Sequence, residues 1–259
     1  GHAGKWHLGG KGFLPADQGF TWSIAGSEAG APPAYFYPYE RGDRRVPDLS
    51  KGKEGEYLPE RLVNESIAFI DREQEGPFFL YLSHYAVHTP IQARAEIVDR
   101  YRSKPPIGGH QNPTYAAMIE SVDQSVGRVL KRLEELKLTK NTVVIFTSDN
   151  GFMCGAHGYG SKVLPYEESS RVPLIVYDPR HRNSGKELRC DALTGNVDLM
   201  PTLLELAAVA VPEGIDGKSI LPLYEDAGAR IRESLPLVNV WGPSEVFSLS
   251  EVTERHKYI

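Results

Sequence analysis

The stretch that decides the fold is Thr142-Val143-Val144-Ile145-Phe146-Thr147-Ser148-Asp149-Asn150-Gly151. Its first six residues form a short apolar and β-branched run, which predicts a strand buried in a sheet. Polar residues follow the run directly, and Gly151 permits a tight exit of the backbone. The stretch therefore predicts a functional site at the carboxyl end of a strand.

Two further apolar runs predict strands, at residues 78–83 and 173–177. Breakers bound the first run, which indicates a strand buried on both faces that delivers His84 and His88 at or just beyond its carboxyl end. Residues 173–177 are the third predicted strand. The strands alternate with helical segments, so the chain is expected to have an α/β fold.

Apolar residues at three- and four-residue spacing predict three helices. The first begins near Pro59 and ends before Gly76-Pro77, the second follows Pro113 as far as Leu133, and the third covers residues 198–206. Asp198 is expected to cap the third helix. Residues up to Tyr57 are rich in Gly, Pro and Tyr with little periodicity, which predicts a long ordered loop region.

Composition narrows the function classes. The 259 residues are 41% hydrophobic and 24% charged, and one large domain over residues 1–259 is the simplest division. The formal net charge is -5, with 29 basic against 34 acidic residues and no basic stripe, which argues against nucleic-acid binding. No apolar run of about 18 residues occurs, so no membrane span is expected. Cys154 and Cys190 lie in unrelated contexts that indicate neither a disulfide framework nor a zinc site.

Asp149 and Asn150 place a carboxylate and an amide oxygen side by side where the backbone leaves the sheet. Hard oxygen ligands of this kind suit Ca²⁺ or Mg²⁺. The alternative is an Asx turn that only ends a strand.

Three other segments carry basic or imidazole groups in suitable settings. Lys5 and His7 lie two residues apart between glycines, so both can approach one anionic oxygen. Lys162 ends a glycine-dense loop, residues 155–162, and would present a point charge to an anionic ligand. His88 precedes a Thr-Pro turn. The alternatives are solvated loop residues for the lysines and His7, and a packed core histidine for His88.

Taken together and in this order, these motifs resemble the sulfatase family of the alkaline phosphatase superfamily. The resemblance runs nearly from end to end and includes framework stretches at residues 10–13, 55–58, 197–204 and 214–219. It implies an α/β fold with an alkaline-phosphatase-like mixed sheet flanked by helices. It also implies a sulfuric ester as substrate, either a sulfated carbohydrate or an aryl sulfate.

The family pattern assigns a role to each matching residue. Lys5 and His7 would contact the sulfate and the nucleophile, and Lys162 would be the second sulfate-binding lysine. His88 would face the leaving group as general acid. Asp149 and Asn150 match two of the family's calcium ligands.

Three residues near these motifs have no secure place in the family pattern. We expect His84 to pack at a strand end, and His157 to shape the loop beside Lys162. Cys154 is expected to be a small buried residue.

The sequence departs from the family pattern in its nucleophile. Sulfatases carry a Cys-x-Pro-x-Arg or Ser-x-Pro-x-Arg motif whose first residue becomes formylglycine, and neither occurs among these residues, so formylglycine cannot form in this chain. We expect an internal piece, incomplete at both ends, of a parent that the resemblance places in the periplasm or outside the cell. A missing central strand would leave apolar edges at residues 78–82 and 143–146, which predicts a homo-oligomer.

Three hypotheses follow. The first is a Ca²⁺-dependent sulfatase that retains the anion-binding half of its site. The second is a metal-dependent hydrolase of phosphate or other esters, in which Asp149 and histidines such as His7, His88 or His157 hold Zn²⁺ and a metal-bound water attacks. The third is a non-catalytic, sulfate-binding fragment.

Overall fold

The computed structural model describes residues 1–106, 111–162, 164–241 and 246–259, with the backbone alone for residues 240–241 and 246–247. The chain divides into two compact units, Gly1–Thr139 and Lys140–Ile259. A single catalytic domain over residues 1–259 stays a prediction. Each unit is described by itself.

The first unit combines a small parallel sheet with three helices. Its sheet has the strand order β2-β1-β5, and β1 pairs in parallel with both neighbours, so that His2 lies opposite Ser23 and Tyr81. The bounds of the elements are β1 His2–Gly4, β2 Ser23–Ile24, β3 Glu40–Arg41, β4 Arg44–Arg45, α1 Leu58–Glu73, β5 Tyr81–Ser83, α2 Ala95–Arg102 and α3 Pro113–Glu135.

Two helices of the first unit match the sequence predictions. α1 has Pro59 in its first turn and buries one apolar face that includes Leu62 and Ile70. α3 begins where Asn112 accepts hydrogen bonds from the backbone amides of Thr114 and Tyr115, at 3.0 and 3.1 Å. Both helices were expected from apolar spacing, and both predictions are confirmed.

The core of the first unit is rich in tyrosine. Its buried members come from the loops around the sheet as well as from α1 and α3, which shows that the segment before Tyr57 is ordered, as predicted. They are Ala25, Tyr35, Tyr39, Val46, Leu49, Tyr57, Leu58, Leu62, Tyr85 and Met118.

The second unit is built from antiparallel strands and short helices. β6 pairs antiparallel with β7, and β9 lies between β8 and β10 in a second antiparallel sheet. The bounds of the elements are β6 Val144–Thr147, α4 Glu167–Ser170, β7 Leu174–Tyr177, α5 Leu199–Leu206, α6 Pro222–Glu225, β8 Ser234–Trp241, β9 Val246–Thr253 and β10 Lys257–Tyr258. The α/β fold class is confirmed.

Two local predictions are wrong. The strand expected at residues 78–83 begins only at Tyr81, and it is not buried on both faces, because β5 is an edge strand among the described residues and Tyr81 is exposed. Asp198 is the N-cap residue of α5, but its side chain makes no capping hydrogen bond. Its buried carboxylate instead accepts hydrogen bonds from the amides of Gly195 and Lys218, both at 2.8 Å, and pairs with Arg232.

Several elements have no counterpart in the sequence predictions. β1 is only three residues long and contains no apolar run, and α2 and the sheet of β8, β9 and β10 were not predicted. None of the helices among the described residues is long and apolar enough to cross a lipid bilayer.

Candidate active site

The segment from Lys5 to His7 leaves the sheet directly after its central strand. The Lys5 amide donates a hydrogen bond to the Ser83 carbonyl at 2.7 Å, and the His7 amide donates to the Ser27 carbonyl at 2.9 Å. Between them the buried Trp6 donates from its indole nitrogen to the Phe13 carbonyl at 2.7 Å. These bonds hold the backbone of the segment, with Lys5 half-buried and His7 exposed.

Glycine is required at position 4, and the chain passes close to this segment at Gly30. Gly4 has a φ of 111°, and a Cβ atom there would lie 1.9 Å from the Ser83 carbonyl oxygen. A Cβ atom at Gly30 would lie 2.5 Å from Cε1 of the His7 ring. The two glycines therefore allow β1 to pair with β5 and allow the chain to pass against the imidazole.

His88 is held at its backbone and at one ring nitrogen. Its amide donates to the Tyr85 carbonyl at 2.9 Å, and its own carbonyl accepts from the Tyr35 hydroxyl at 2.8 Å. Nδ1 lies 3.0 Å from the Thr89 carbonyl oxygen. Because a carbonyl only accepts, this contact assigns the proton of the neutral ring to Nδ1 and leaves the lone pair on Nε2. Among the described residues Nε2 has no hydrogen-bond partner.

Buried tyrosines hold the loop that carries His88. Tyr57 donates to the Gln92 carbonyl and Tyr85 donates to the Ala25 carbonyl, each at 2.8 Å. Burial raises the pKa of Tyr57 and of Tyr85 to about 12, and it raises the pKa of Tyr35 further. All three hydroxyl groups therefore remain protonated donors throughout the physiological pH range.

His84 lies between β5 and His88. Both of its ring nitrogens are shielded from solvent and lack a hydrogen-bond partner among the described residues. Burial lowers the pKa of His84 to about 4, so the ring is neutral near pH 7. This environment agrees with the packing role expected from the sequence.

Asp149 and Asn150 follow β6, as predicted, in a tightly bonded turn. The Asn150 amide donates to Oδ1 of Asp149 at 2.9 Å, and the Ser148 hydroxyl donates to the Asn150 carbonyl at 2.8 Å. Asn196 adds a contact that the sequence did not reveal, because its Nδ2 donates to the carbonyls of Ser148 and Asp149, both at 3.1 Å. No spacing or motif singles Asn196 out.

The donor chemistry of this turn suits a hard cation. A carboxylate and an amide oxygen are ligands that Ca²⁺ and Mg²⁺ prefer, although Ca²⁺ takes about six to eight oxygens in all. Within the described parts of the chain, no group of three or more His, Cys, Asp and Glu side chains could hold a metal ion.

Lys162 is half-buried at the end of a closed glycine-rich loop. The Met153 amide donates to the Ser161 carbonyl at 2.9 Å, which joins the two ends of the loop. His157 stacks on Tyr166 with ring centroids 4.3 Å apart, and its Nε2 lies 3.2 Å from Oε1 of Glu168. These contacts agree with a role for His157 in shaping the loop. Cys154 is half-buried rather than buried, which corrects the expectation.

The predicted site residues fall into two groups. Lys5 and His7 follow β1 and His88 follows β5, and these adjacent parallel strands end at the same edge of one sheet because Gly4 pairs with Ser83. The segment of Lys5 and His7 and the loop that carries His88 therefore leave the sheet at the same edge. Asp149, Asn150 and Lys162 belong to the second unit.

Comparisons with known proteins all indicate the sulfatase family. The sequence model of the family described as Sulfatase matches residues 1–209. An arylsulfatase of Clostridium perfringens is 29% identical over 231 residues, which cover 76% of this chain and 48% of that protein. Human N-acetylgalactosamine-6-sulfatase is 31% identical over 255 residues, 85% of this chain and 44% of that protein.

A solved structure is also similar. The crystal structure of Ps i-CgsB in complex with k-i-k-neocarrahexaose has a TM-score of 0.76 and 25% sequence identity, covering 97% of this chain and 60% of that chain. The alkaline-phosphatase-like α/β fold implied by the sequence is thereby confirmed. The chain spans about half the length of the relatives that it matches in sequence.

Proposed function

The chain belongs to the sulfatase family, and on that premise we propose that its protein hydrolyses sulfuric esters. The proposal is supported by the match of residues 1–209 to the family model, and by the pairing of Gly4 with Ser83, through which the strands that precede Lys5 and His88 end together. The nucleophile is not assigned to any residue of this chain.

Lys5, His7 and Lys162 bind the sulfate group. Each supplies a hydrogen-bond donor, and the two lysines also supply positive charge. Hydrogen bonds of the Lys5 and His7 amides hold the backbone that carries both side chains, so the backbone needs little reorganisation when charge builds up on the sulfuryl oxygens.

His88 acts as the general acid towards the departing alcohol. The Thr89 carbonyl holds the Nδ1 proton, so in the protonated ring the second proton lies on Nε2. As the attacking nucleophile bonds to sulfur and the bond from sulfur to the leaving oxygen breaks, this proton passes to that oxygen. The neutral ring that results keeps the tautomer that the Thr89 contact favours.

Asp149 and Asn150 hold a divalent cation, which is Ca²⁺ by the family resemblance and which their oxygen donors suit. When bound, the cation stabilises negative charge on the sulfate group. Asn196 supports this role, because it binds the carbonyl groups of Ser148 and Asp149 and so fixes the turn.

The substrate class is a sulfated carbohydrate or an aryl sulfate. The relatives include an arylsulfatase and an N-acetylgalactosamine-6-sulfatase, and Ps i-CgsB was crystallised with a neocarrahexaose. The partner is therefore a small-molecule or carbohydrate sulfate ester rather than a nucleic acid.

Leaving-group dependence tests the role of His88. With the full-length protein, His88→Ala should lower kcat by about 10²-fold to 10⁴-fold on a carbohydrate or alkyl sulfate, whose alcohol leaves poorly without a proton. The loss should be far smaller on 4-nitrophenyl sulfate, because nitrophenolate leaves unaided. His256→Ala, which changes an exposed histidine in the second unit, is the matched control.

Equal losses on both substrates would remove His88 from the acid role. Turnover of neither sulfate by the wild-type protein would contradict the proposed function itself.

Calcium titration tests the metal assignment. Asp149→Ala should weaken Ca²⁺ binding at least about tenfold, as followed by isothermal titration calorimetry of the full-length protein, since it removes a charged ligand. Asp191→Ala, at an exposed position of the same unit, should leave the affinity unchanged. Unchanged affinity in Asp149→Ala, or stoichiometric zinc in the purified protein, would refute the calcium assignment.

A further inference from the structure

The carbonyl group of Lys5 receives two side-chain hydrogen bonds where the chain leaves β1. Nε2 of His2 lies 3.2 Å from this oxygen, and the hydroxyl group of Ser83 donates to it at 2.5 Å. His2 belongs to β1 and Ser83 to the neighbouring β5, so two strands contribute to one contact. The orientation of the peptide group between Lys5 and Trp6 is set by this contact.

A third strand fixes the tautomer of His2. Nδ1 of His2 lies 3.3 Å from the hydroxyl oxygen of Ser23 in β2. Because the Lys5 carbonyl only accepts, Nε2 carries the ring proton, and Nδ1 then accepts from the Ser23 hydroxyl. Nε2 also lies 3.2 Å from the Ser83 hydroxyl oxygen, so every polar atom of the group has a compatible partner.

The imidazole of His2 has no room to turn. The residue is 0% exposed, and its ring makes edge contacts with Trp6, Phe20 and Tyr81 at centroid distances of 5.2, 5.7 and 5.6 Å. On a further side, a Cβ atom at Gly26 would lie 2.9 Å from Cε1 of His2. Burying a polar side chain in this way is costly unless its nitrogen atoms make hydrogen bonds, as those of His2 do.

We propose that His2 and Ser83 are positioning residues for sulfate binding, which act by holding the Lys5 carbonyl and thereby the direction in which Lys5 and His7 leave the sheet. The inference rests on the proposed function, because Lys5 and His7 are the groups that would contact the sulfate. Neither His2 nor Ser83 touches the substrate.

Four variants of the full-length protein separate positioning from general packing. Ser83→Ala removes one donor to the Lys5 carbonyl, and His2→Leu removes the other while it keeps an apolar group of comparable size. His2→Gln retains a donor near the position of Nε2. Ser125→Ala is the control, since its buried hydroxyl donates to the Ser121 carbonyl at 2.8 Å within α3, away from Lys5.

The measurements are the Kd of inorganic sulfate by calorimetry, the thermal midpoint, and the ¹H–¹⁵N shift of the Trp6 amide, which shares a peptide group with the Lys5 carbonyl. We expect Ser83→Ala and His2→Leu each to weaken sulfate binding about fivefold to tenfold. His2→Gln should recover most of the affinity. Ser125→Ala should lower the thermal midpoint to a similar extent and leave the Kd of sulfate unchanged.

The outcomes distinguish failure of the positioning role of His2 and Ser83 from failure of the proposed function. Unchanged sulfate affinity in both His2→Leu and Ser83→Ala, with wild-type binding intact, would overturn the positioning role and leave the proposed function standing. Failure of the wild-type protein to bind sulfate would overturn the proposed function. In that case a Trp6 amide shift that moves in both variants would still support the geometric role of His2 and Ser83.

Discussion

The hydroxyl group of Tyr35 holds the backbone of His88, the candidate general acid. Tyr35 is fully buried and donates to the carbonyl of His88 itself, whereas the equally buried Tyr85 donates to the carbonyl of Ala25. The two tyrosine hydroxyl groups thus make the same kind of hydrogen bond at 2.8 Å, but only that of Tyr35 contacts His88, since Tyr85 contacts His88 through its backbone carbonyl. They form a matched pair for mutagenesis.

Tyr35→Phe and Tyr85→Phe should cost similar stability and differ in activity. Each loses one buried hydrogen bond, which lowers the free energy of unfolding by about 1 kcal/mol. Only Tyr35→Phe releases the His88 backbone, so it alone should lower kcat on a carbohydrate sulfate, by about tenfold. Urea unfolding and steady-state kinetics check the two halves. Equal kcat values in the two variants would show that the Tyr35 contact does not position His88.

His84 makes stability depend on pH. Burial lowers its pKa to about 4 in the folded protein, against about 6.5 in the unfolded chain, so the unfolded state binds more protons between these values. The contribution of the neutral His84 to the free energy of unfolding is fully present above about pH 6.5. Up to about 3 kcal/mol of it is lost as the pH falls towards 4.

Replacement of His84 removes this dependence. The free energy of unfolding of His84→Leu should fall less steeply between about pH 6.5 and 4.5 than that of the wild type, as measured by urea titration at several pH values. His256→Leu, at an exposed histidine, should keep the wild-type slope. A wild-type slope in His84→Leu would mean that His84 is not buried in its neutral form.

Some strands could be predicted from sequence patterns and others could not. The runs that form β6 and β7 are visible because successive apolar residues are close in sequence. β1 was not visible, since its three residues become a strand through partners 21 and 79 residues away from His2, which are Ser23 and Tyr81. Within the site, too, residues at strand ends could be predicted, whereas contacts between residues far apart in sequence could not. Lys5, His7 and Asp149 follow strand ends, but the contacts of Tyr35 and Asn196 join residues 53 and 48 positions apart.

The pairing of β1 with β5 depends on glycine at position 4. In Gly4→Ala the new Cβ atom meets the Ser83 carbonyl and the residue must keep a positive φ, whereas Gly12 has a φ of 85° and a methyl group there would meet no atom within 4 Å. Gly12→Ala should therefore cost about 1 kcal/mol from backbone strain alone. Gly4→Ala should cost at least about 2 kcal/mol more, because the strands must separate. Thermal unfolding that gives equal losses would contradict the close approach.

At the scale of the whole molecule, the second unit exposes an apolar pair on one sheet. Val238 and Leu249 lie opposite each other on β8 and β9 and are 60% and 63% exposed, and the exposed Glu251 separates them from Tyr258 on β10. Exposed apolar side chains that lie side by side favour association. The homo-oligomer expected from the sequence stays a prediction, and this pair supports it.

Light scattering of the full-length protein tests association through this pair. The wild type should have at least twice the mass of one chain, and Val238→Lys with Leu249→Lys should shift it towards the monomer. Leu188→Lys, at a position that is 52% exposed outside this sheet, should not. A monodisperse wild-type monomer would count against the oligomer.

The central claim is that this chain forms part of an enzyme that cleaves sulfuric esters, and its choice between sulfate and phosphate is the most direct test. The measurement is kcat/KM of the full-length protein for 4-nitrophenyl sulfate and 4-nitrophenyl phosphate, with Ca²⁺ present and the same leaving group in both. The predicted result is a kcat/KM for the sulfate at least about tenfold higher than for the phosphate, and lost in Lys5→Ala. A higher value for the phosphate, or one for the sulfate that is unaffected by Lys5→Ala, would contradict it.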